Sequence, residues 1–112
     1  MEMHEVRYFL ALCEEGSFTR AAKRCGVAQP SLTKAIKRLE SKLGGDLFYR
    51  GHAETRLTKL GKLVRPRLQR IHQEAANATQ VARKYMSRES HVILPASNLN
   101  EARLHMIVAA AD

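Results

Sequence analysis

The sequence predicts a mainly α-helical fold: a head of three short helices, a two-strand hairpin, and one long helix. Three observations predict it. Apolar residues recur at helical spacing in three segments separated by glycine-containing turns. A short run of β-forming residues follows the third segment. After that comes a long stretch whose apolar residues alternate in steps of three and four, the pattern of a helix that pairs with another.

The first segment, Glu2 to Glu15, places Val6, Phe9, Leu10 and Cys13 at i, i+3, i+4 and i+7, on one helical face. Gly16 can adopt the left-handed conformation that closes such a helix. Ser17 then supplies an N-cap oxygen for a second helix, about Phe18 to Arg24, whose inward residues are Phe18, Ala21 and Ala22. Cys25-Gly26-Val27-Ala28 reads as a tight turn. A third helix runs from about Gln29 to Leu43, with Pro30 tolerated because first-turn N–H groups lack helical partners. Leu32, Ile36, Leu39 and Leu43 form its apolar stripe, and Gly44-Gly45 ends it.

Leu47-Phe48-Tyr49 and a return at Leu57 form two short strands around a glycine-containing loop. Thr58 caps the long helix, which reaches about Arg88. Pro66 lacks an N–H and is expected to divide it into Thr58–Arg65 and Pro66–Arg88. Leu60, Val64 and Leu68 are spaced in steps of four, so the phase of the pattern slips there. Leu68, Ile71, Ala75, Ala78, Ala82 and Tyr85 make the pairing seam, which is expected to join two copies into a homodimer. The expected organisation is a head over 1–57, a linker and dimerisation helix over 58–88, and a short tail over 89–112. In that tail His91 to Leu94 reads as a strand and Glu101 to Ala111 as a helix, the possible start of a further, truncated domain.

A net charge of +8 favours polyanionic partners, because each phosphate neutralised by a cation releases condensed counterions. Most of the excess falls on residues 58–88, with eight Lys and Arg against one Glu. Double-stranded DNA leads as partner. The second and third helices explain why. A helix-turn-helix needs a small residue where its helices cross, a turn residue that accepts unusual dihedrals, and apolar anchors on its second helix. Ala22, Gly26 and Leu32 meet those needs in order. Such a unit sets the start of its second helix into the major groove, here Gln29, Pro30 and Ser31, with Thr33 and Lys34 one turn on. The planar amide of Gln29 carries a donor and an acceptor, which suits an adenine edge.

These residues resemble a known family. Phe9-Leu10-Ala11, Gly16-Ser17-Phe18-Thr19-Arg20-Ala21-Ala22, Val27 through Glu40, Leu43-Gly44, Leu47-Phe48-Tyr49-Arg50, Leu57-Thr58 and Gly61 look like the N-terminal domain of LysR-type transcriptional regulators. The resemblance covers about residues 3 to 88. It implies a winged helix-turn-helix followed by a linker helix that pairs two subunits. It also implies DNA contacts from Gln29, Pro30, Ser31, Thr33, Lys34 and Arg38, and a phosphate contact from Arg50 in the wing. Ala28 stands where the family often has a Ser or Thr cap, so the third helix is expected to start without one. Ala53-Glu54 replaces a basic wing residue, leaving His52 or Arg56 to substitute. Cys25 replaces a leucine.

Other functions find less support. Five scattered histidines form no metal-ligand cluster, no nucleophile stands beside a base, and Cys13 sits on an apolar stripe, so neither enzymatic activity nor a cofactor is expected. Without signal peptide or long apolar run, a cytoplasmic, nucleoid-associated location and no membrane are expected. Residues 89–112 are too few to enclose a ligand, so no small-molecule effector is expected for this chain alone. The competing readings are a truncated subunit that dimerises with a full-length relative, and a basic helix that binds membranes or acidic proteins.

Overall fold

A computed structural model describes residues 1–51 and 54–90, with the Ser90 side chain excluded. His52 and the expected strand and helix of the tail lie outside the described residues. The elements are α1 (Met3–Glu15), α2 (Phe18–Cys25), α3 (Gln29–Leu43) and α4 (Lys59–Ser90). Two compact units result, Met1–Ala76 and Asn77–Asp112. The first holds α1 to α3, the hairpin and the opening of α4; in the second, the described residues continue α4.

In the first unit, α1, α2 and α3 close around Val6, Phe9, Leu12, Ala21, Leu32, Ile36 and Leu39, all at 0% exposure. Their burial is the main stabilising term. Phe48 of the hairpin completes this core, with its ring centroid 5.5 Å from Phe9 and 6.5 Å from Phe18. One aromatic side chain thus ties the hairpin to two helices.

The hairpin is smaller than the two strands the sequence predicts. Among the described residues it is one isolated antiparallel bridge, Phe48 to Leu57. The Tyr49 N–H donates to the Arg56 carbonyl at 2.8 Å, and Thr58 N–H to the Leu47 carbonyl at 3.0 Å. At the Leu47 end of the bridge, side chains take up the neighbouring backbone groups. Leu47 N–H donates to Glu40 Oε2 at 2.7 Å, and the Asp46 carbonyl accepts the Thr58 hydroxyl at 2.6 Å.

Thr58 also caps α4, its Oγ1 accepting from Gly61 N–H at 3.1 Å. Contrary to the expected break, α4 runs unbroken through Pro66. Proline removes the N–H that would bond the Lys62 carbonyl, but Lys62 and Pro66 are both exposed, so water can reach that carbonyl. The phase slip has a different cause. Leu60, Val64 and Leu68 pack on the head, and Leu68, expected in the pairing seam, is 3% exposed within the head's core. The steps of four therefore mark the part of α4 that completes its own head, and the exposed seam begins at Ile71.

Candidate nucleic-acid interface

The α2–turn–α3 unit is built around Gly26. At φ 68° and ψ 33° it occupies the left-handed region, where a side chain would be strained. Its N–H reaches the Ala22 and Lys23 carbonyls, and Val27 N–H returns to Ala22 at 3.0 Å. This closure of α2 redirects the chain into α3. Ala21 and Ala22 are buried at the crossing, where their small side chains admit the neighbouring helices.

Ala28 is the N-cap of α3 and offers no side-chain bond, as its methyl dictates. Its carbonyl accepts from Ser31 and Leu32 N–H groups at 3.0 and 3.2 Å. Leu32, Ala35, Ile36 and Leu39 turn α3 inward by one face. The opposite face consequently presents Gln29, Pro30, Ser31, Lys34 and Arg38, all exposed, with Thr33 half-buried. Gln29, Pro30, Thr33, Lys34 and Lys37 line one shallow concavity of about 410 Å³. Lys37 was not among the sequence-predicted contacts, although steps of three and four from Pro30 through Thr33 and Lys34 lead to it.

Thr19 at the start of α2 was missed as well. Its hydroxyl lies 3.2 Å from Gln29 Oε1 and donates to it, joining the two helix starts. Its position in α2, ten residues from Gln29, gives no periodic signal.

The charges divide into paired and unpaired sets. Glu40, 5% exposed, bonds Leu47 N–H with one carboxylate oxygen and pairs with the Arg50 guanidinium through the other. Lys42 Nζ lies 2.9 and 3.1 Å from the carboxylate oxygens of buried Glu5. Burial opposes ionisation of Glu5, but the Glu2 N–H and the Lys42 ammonium outweigh it and hold its pKa below the ordinary 4.5. Arg24 bonds Glu14 at 2.5 Å and lies 3.4 Å from Glu15. By contrast, among the described residues no ion pair engages Lys34, Lys37 or Arg38 on α3, or Arg56 on the hairpin. Cys13 packs against the core, and burial pushes its thiol up to about 11, which removes it as a thiolate near neutrality. Among the described residues, no helix is long and apolar enough to cross a membrane, and no group of three acids, histidines or cysteines could hold a metal.

Two helices joined by a left-handed glycine turn, an outward polar start on the second, and an adjoining hairpin define a winged helix-turn-helix. The chain belongs to the bacterial regulatory helix-turn-helix proteins of the lysR family, whose model matches residues 3–62. It is 47% identical over 62 residues to the HTH-type transcriptional regulator BudR of Klebsiella aerogenes, covering 55% of this chain and 43% of BudR. Over 81 residues it is 38% identical to the small neutral protease regulatory protein of Streptomyces coelicolor, covering 72% of this chain and 26% of that protein. The chain thus spans less than half the length of these relatives. Among solved structures, the CbnR_DBD–DNA complex superposes with a TM-score of 0.71 at 34% identity, covering 77% of this chain and 99% of that one. The BenM_DBD/catB site 1 DNA complex gives 0.73 at 32%, covering 78% and 98%.

Proposed function

We propose that this chain is a sequence-specific DNA-binding regulator of transcription, with α3 in the major groove and α4 pairing two copies. The observation that carries the reading is the outer face of α3. There Gln29 shares a concavity with Lys34 and Lys37, and these two cations and the exposed Arg38 have no ion-pair partners among the described residues. Elsewhere in the head Arg24, Lys42 and Arg50 have acidic partners and, among the described residues, Arg7, Arg20 and Lys23 have no ion pair, so what distinguishes α3 is that its unpaired cations share one face with Gln29. Unpaired cations gain most from phosphate, since no existing bond is given up. The solved DNA complexes of CbnR and BenM domains support the same partner.

In this reading Lys34, Lys37 and Arg38 hold phosphates, while Gln29, with Pro30, Ser31 and Thr33 beside it, meets base edges. Arg50 has a divided role. One guanidinium edge is held by Glu40, and a guanidinium has further N–H groups for a phosphate. Arg56 extends the basic surface along the hairpin, and His52, outside the described residues, is proposed as a contact from its sequence alone. Pairing through α4 is supported by exposed apolar residues, Ile71 at 42% and Tyr85 at 37%, in heptad register with Ala78 and flanked by Ala75 and Ala82. Val81, 68% exposed beside that stripe, adds apolar area. In this reading the work is binding rather than catalysis, and a DNA partner supports a cytoplasmic location.

The test compares duplexes enriched from a random library with unselected duplex. Gln29→Ala should lose about 1–3 kcal/mol on the enriched site and little on unselected DNA. Lys34→Ala should weaken both alike. An equal loss on both from Gln29→Ala would remove it as a base reader.

A further inference from the structure

The geometry points to Thr19 as a positioning residue that supports base specificity by tethering the Gln29 carboxamide in place across the turn. This rests on the proposed reading of bases by Gln29.

Gln29 is the first residue of α3, and its N-cap, Ala28, supplies no side-chain bond. A long, exposed side chain there would sample many rotamers, and binding would then have to freeze them. Among the described residues, the bond that restrains the Gln29 amide comes from across the turn. The Thr19 hydroxyl donates to Gln29 Oε1 at 3.2 Å. Thr19 is itself fixed in the first turn of α2, two residues after the Ser17 cap, whose Oγ accepts from Arg20 N–H at 3.3 Å.

The chemistry of the amide gives this contact a consequence. A carbonyl oxygen has two acceptor sites, and the amide nitrogen has two donors. Thr19 occupies one acceptor site, leaving the other and both N–H groups. That remainder is the set an adenine edge requires, a donor for N7 and an acceptor for the N6 amino group. After a half-turn of the amide the same hydroxyl could accept from Nε2, so the contact fixes where the carboxamide sits rather than which of its ends faces Thr19. The hydroxyl thus restrains the position of the carboxamide at the base edge without itself touching the base. Thr19 contributes to no buried core, so its removal leaves the head's packing intact.

The test measures fluorescence anisotropy of the whole chain on a duplex enriched by the wild-type protein from a random library, and on every single-base variant of it. Gln29→Ala first identifies the base pair whose preference depends on Gln29. Thr19→Val, which keeps the shape and deletes the donor, should then weaken preference at that same pair by about three- to ten-fold. It should leave affinity for unselected duplex unchanged and have no effect in a Gln29→Ala background, while Thr19→Ser should retain the preference. Unaltered preference in Thr19→Val would overturn the proposal while Gln29 stands as a reader. An equal loss on every sequence would overturn it by making Thr19 a backbone contact. If Gln29→Ala shifts no base preference, the reading role and its positioning fall together.

Discussion

Glu40 and Arg50 join the recognition helix to the hairpin: the buried carboxylate at the inner edge of α3 pairs with the guanidinium just beyond Tyr49. The same carboxylate accepts the Leu47 N–H at 2.7 Å, so one side chain fixes both the start of the hairpin and its basic residue relative to α3. Replacing Glu40 with Ala leaves a buried N–H and a cation without their acceptor. It should cost about 1–3 kcal/mol of stability in urea unfolding. Glu40→Gln, which keeps an acceptor for Leu47, should cost less. Two neutral variants would show that the Glu40 contacts do not hold the hairpin.

A second constraint lies where α4 starts. Gly61 packs against the Leu47 backbone so closely that a Cβ there would collide with the Leu47 carbonyl oxygen and press on the Leu57 side chain. Helix propensity favours alanine over glycine by about 1 kcal/mol. The collision is with backbone, however, and should reverse that sign. Gly61→Ala is expected to destabilise the head by about 1–3 kcal/mol, read as a lower urea midpoint at constant m-value. A stabilised variant would contradict this packing.

Much of the head was legible because its punctuation is local. Gly16, Gly26 and Gly44 close three helices from left-handed conformations, and Ser17 and Thr58 cap by side-chain oxygens. What was not legible depends on tertiary neighbours. Leu68 fits a pairing seam by spacing, yet it is buried by its own head. Pro66 breaks helices in general, but here α4 runs through it at a place where Lys62 and Pro66 are both exposed. Glu40 did leave a trace, since it lies four residues after Ile36, on the edge of an apolar stripe where an acid is out of place. Nothing local marks the Thr19–Gln29 bond, which exists only because the turn brings two helix starts together.

Glu5 makes the head's stability acid-sensitive. Its folded-state pKa lies below the ordinary 4.5, so the unfolded chain is the stronger proton binder in acid. The stabilisation is complete above about 4.5 and is lost as pH falls through the depressed folded value. Wild type should therefore lose urea stability more steeply than Glu5→Gln below that pH. Parallel curves would mean that the Lys42 pair does not survive in solution.

The two apolar residues where the head-packed part of α4 gives way to the exposed seam should behave oppositely. Leu68→Ala removes core and should destabilise the head by about 2–5 kcal/mol. Ile71→Asp alters an exposed position and should leave the head folded while weakening self-association, since pairing would bury a charge. Sedimentation with circular dichroism separates the two. An Ile71→Asp protein that sediments as wild type would remove Ile71 from the pairing surface.

The central claim, that the unpaired cations of α3 and the hairpin engage duplex phosphates, is tested most directly by measuring affinity for the enriched duplex across a salt series. The account predicts tight binding at about 50 mM salt and a log–log slope of several units, falling by about one for each of Lys34→Ala, Lys37→Ala and Arg38→Ala. A slope near zero, or a slope unchanged by all three substitutions, would contradict it.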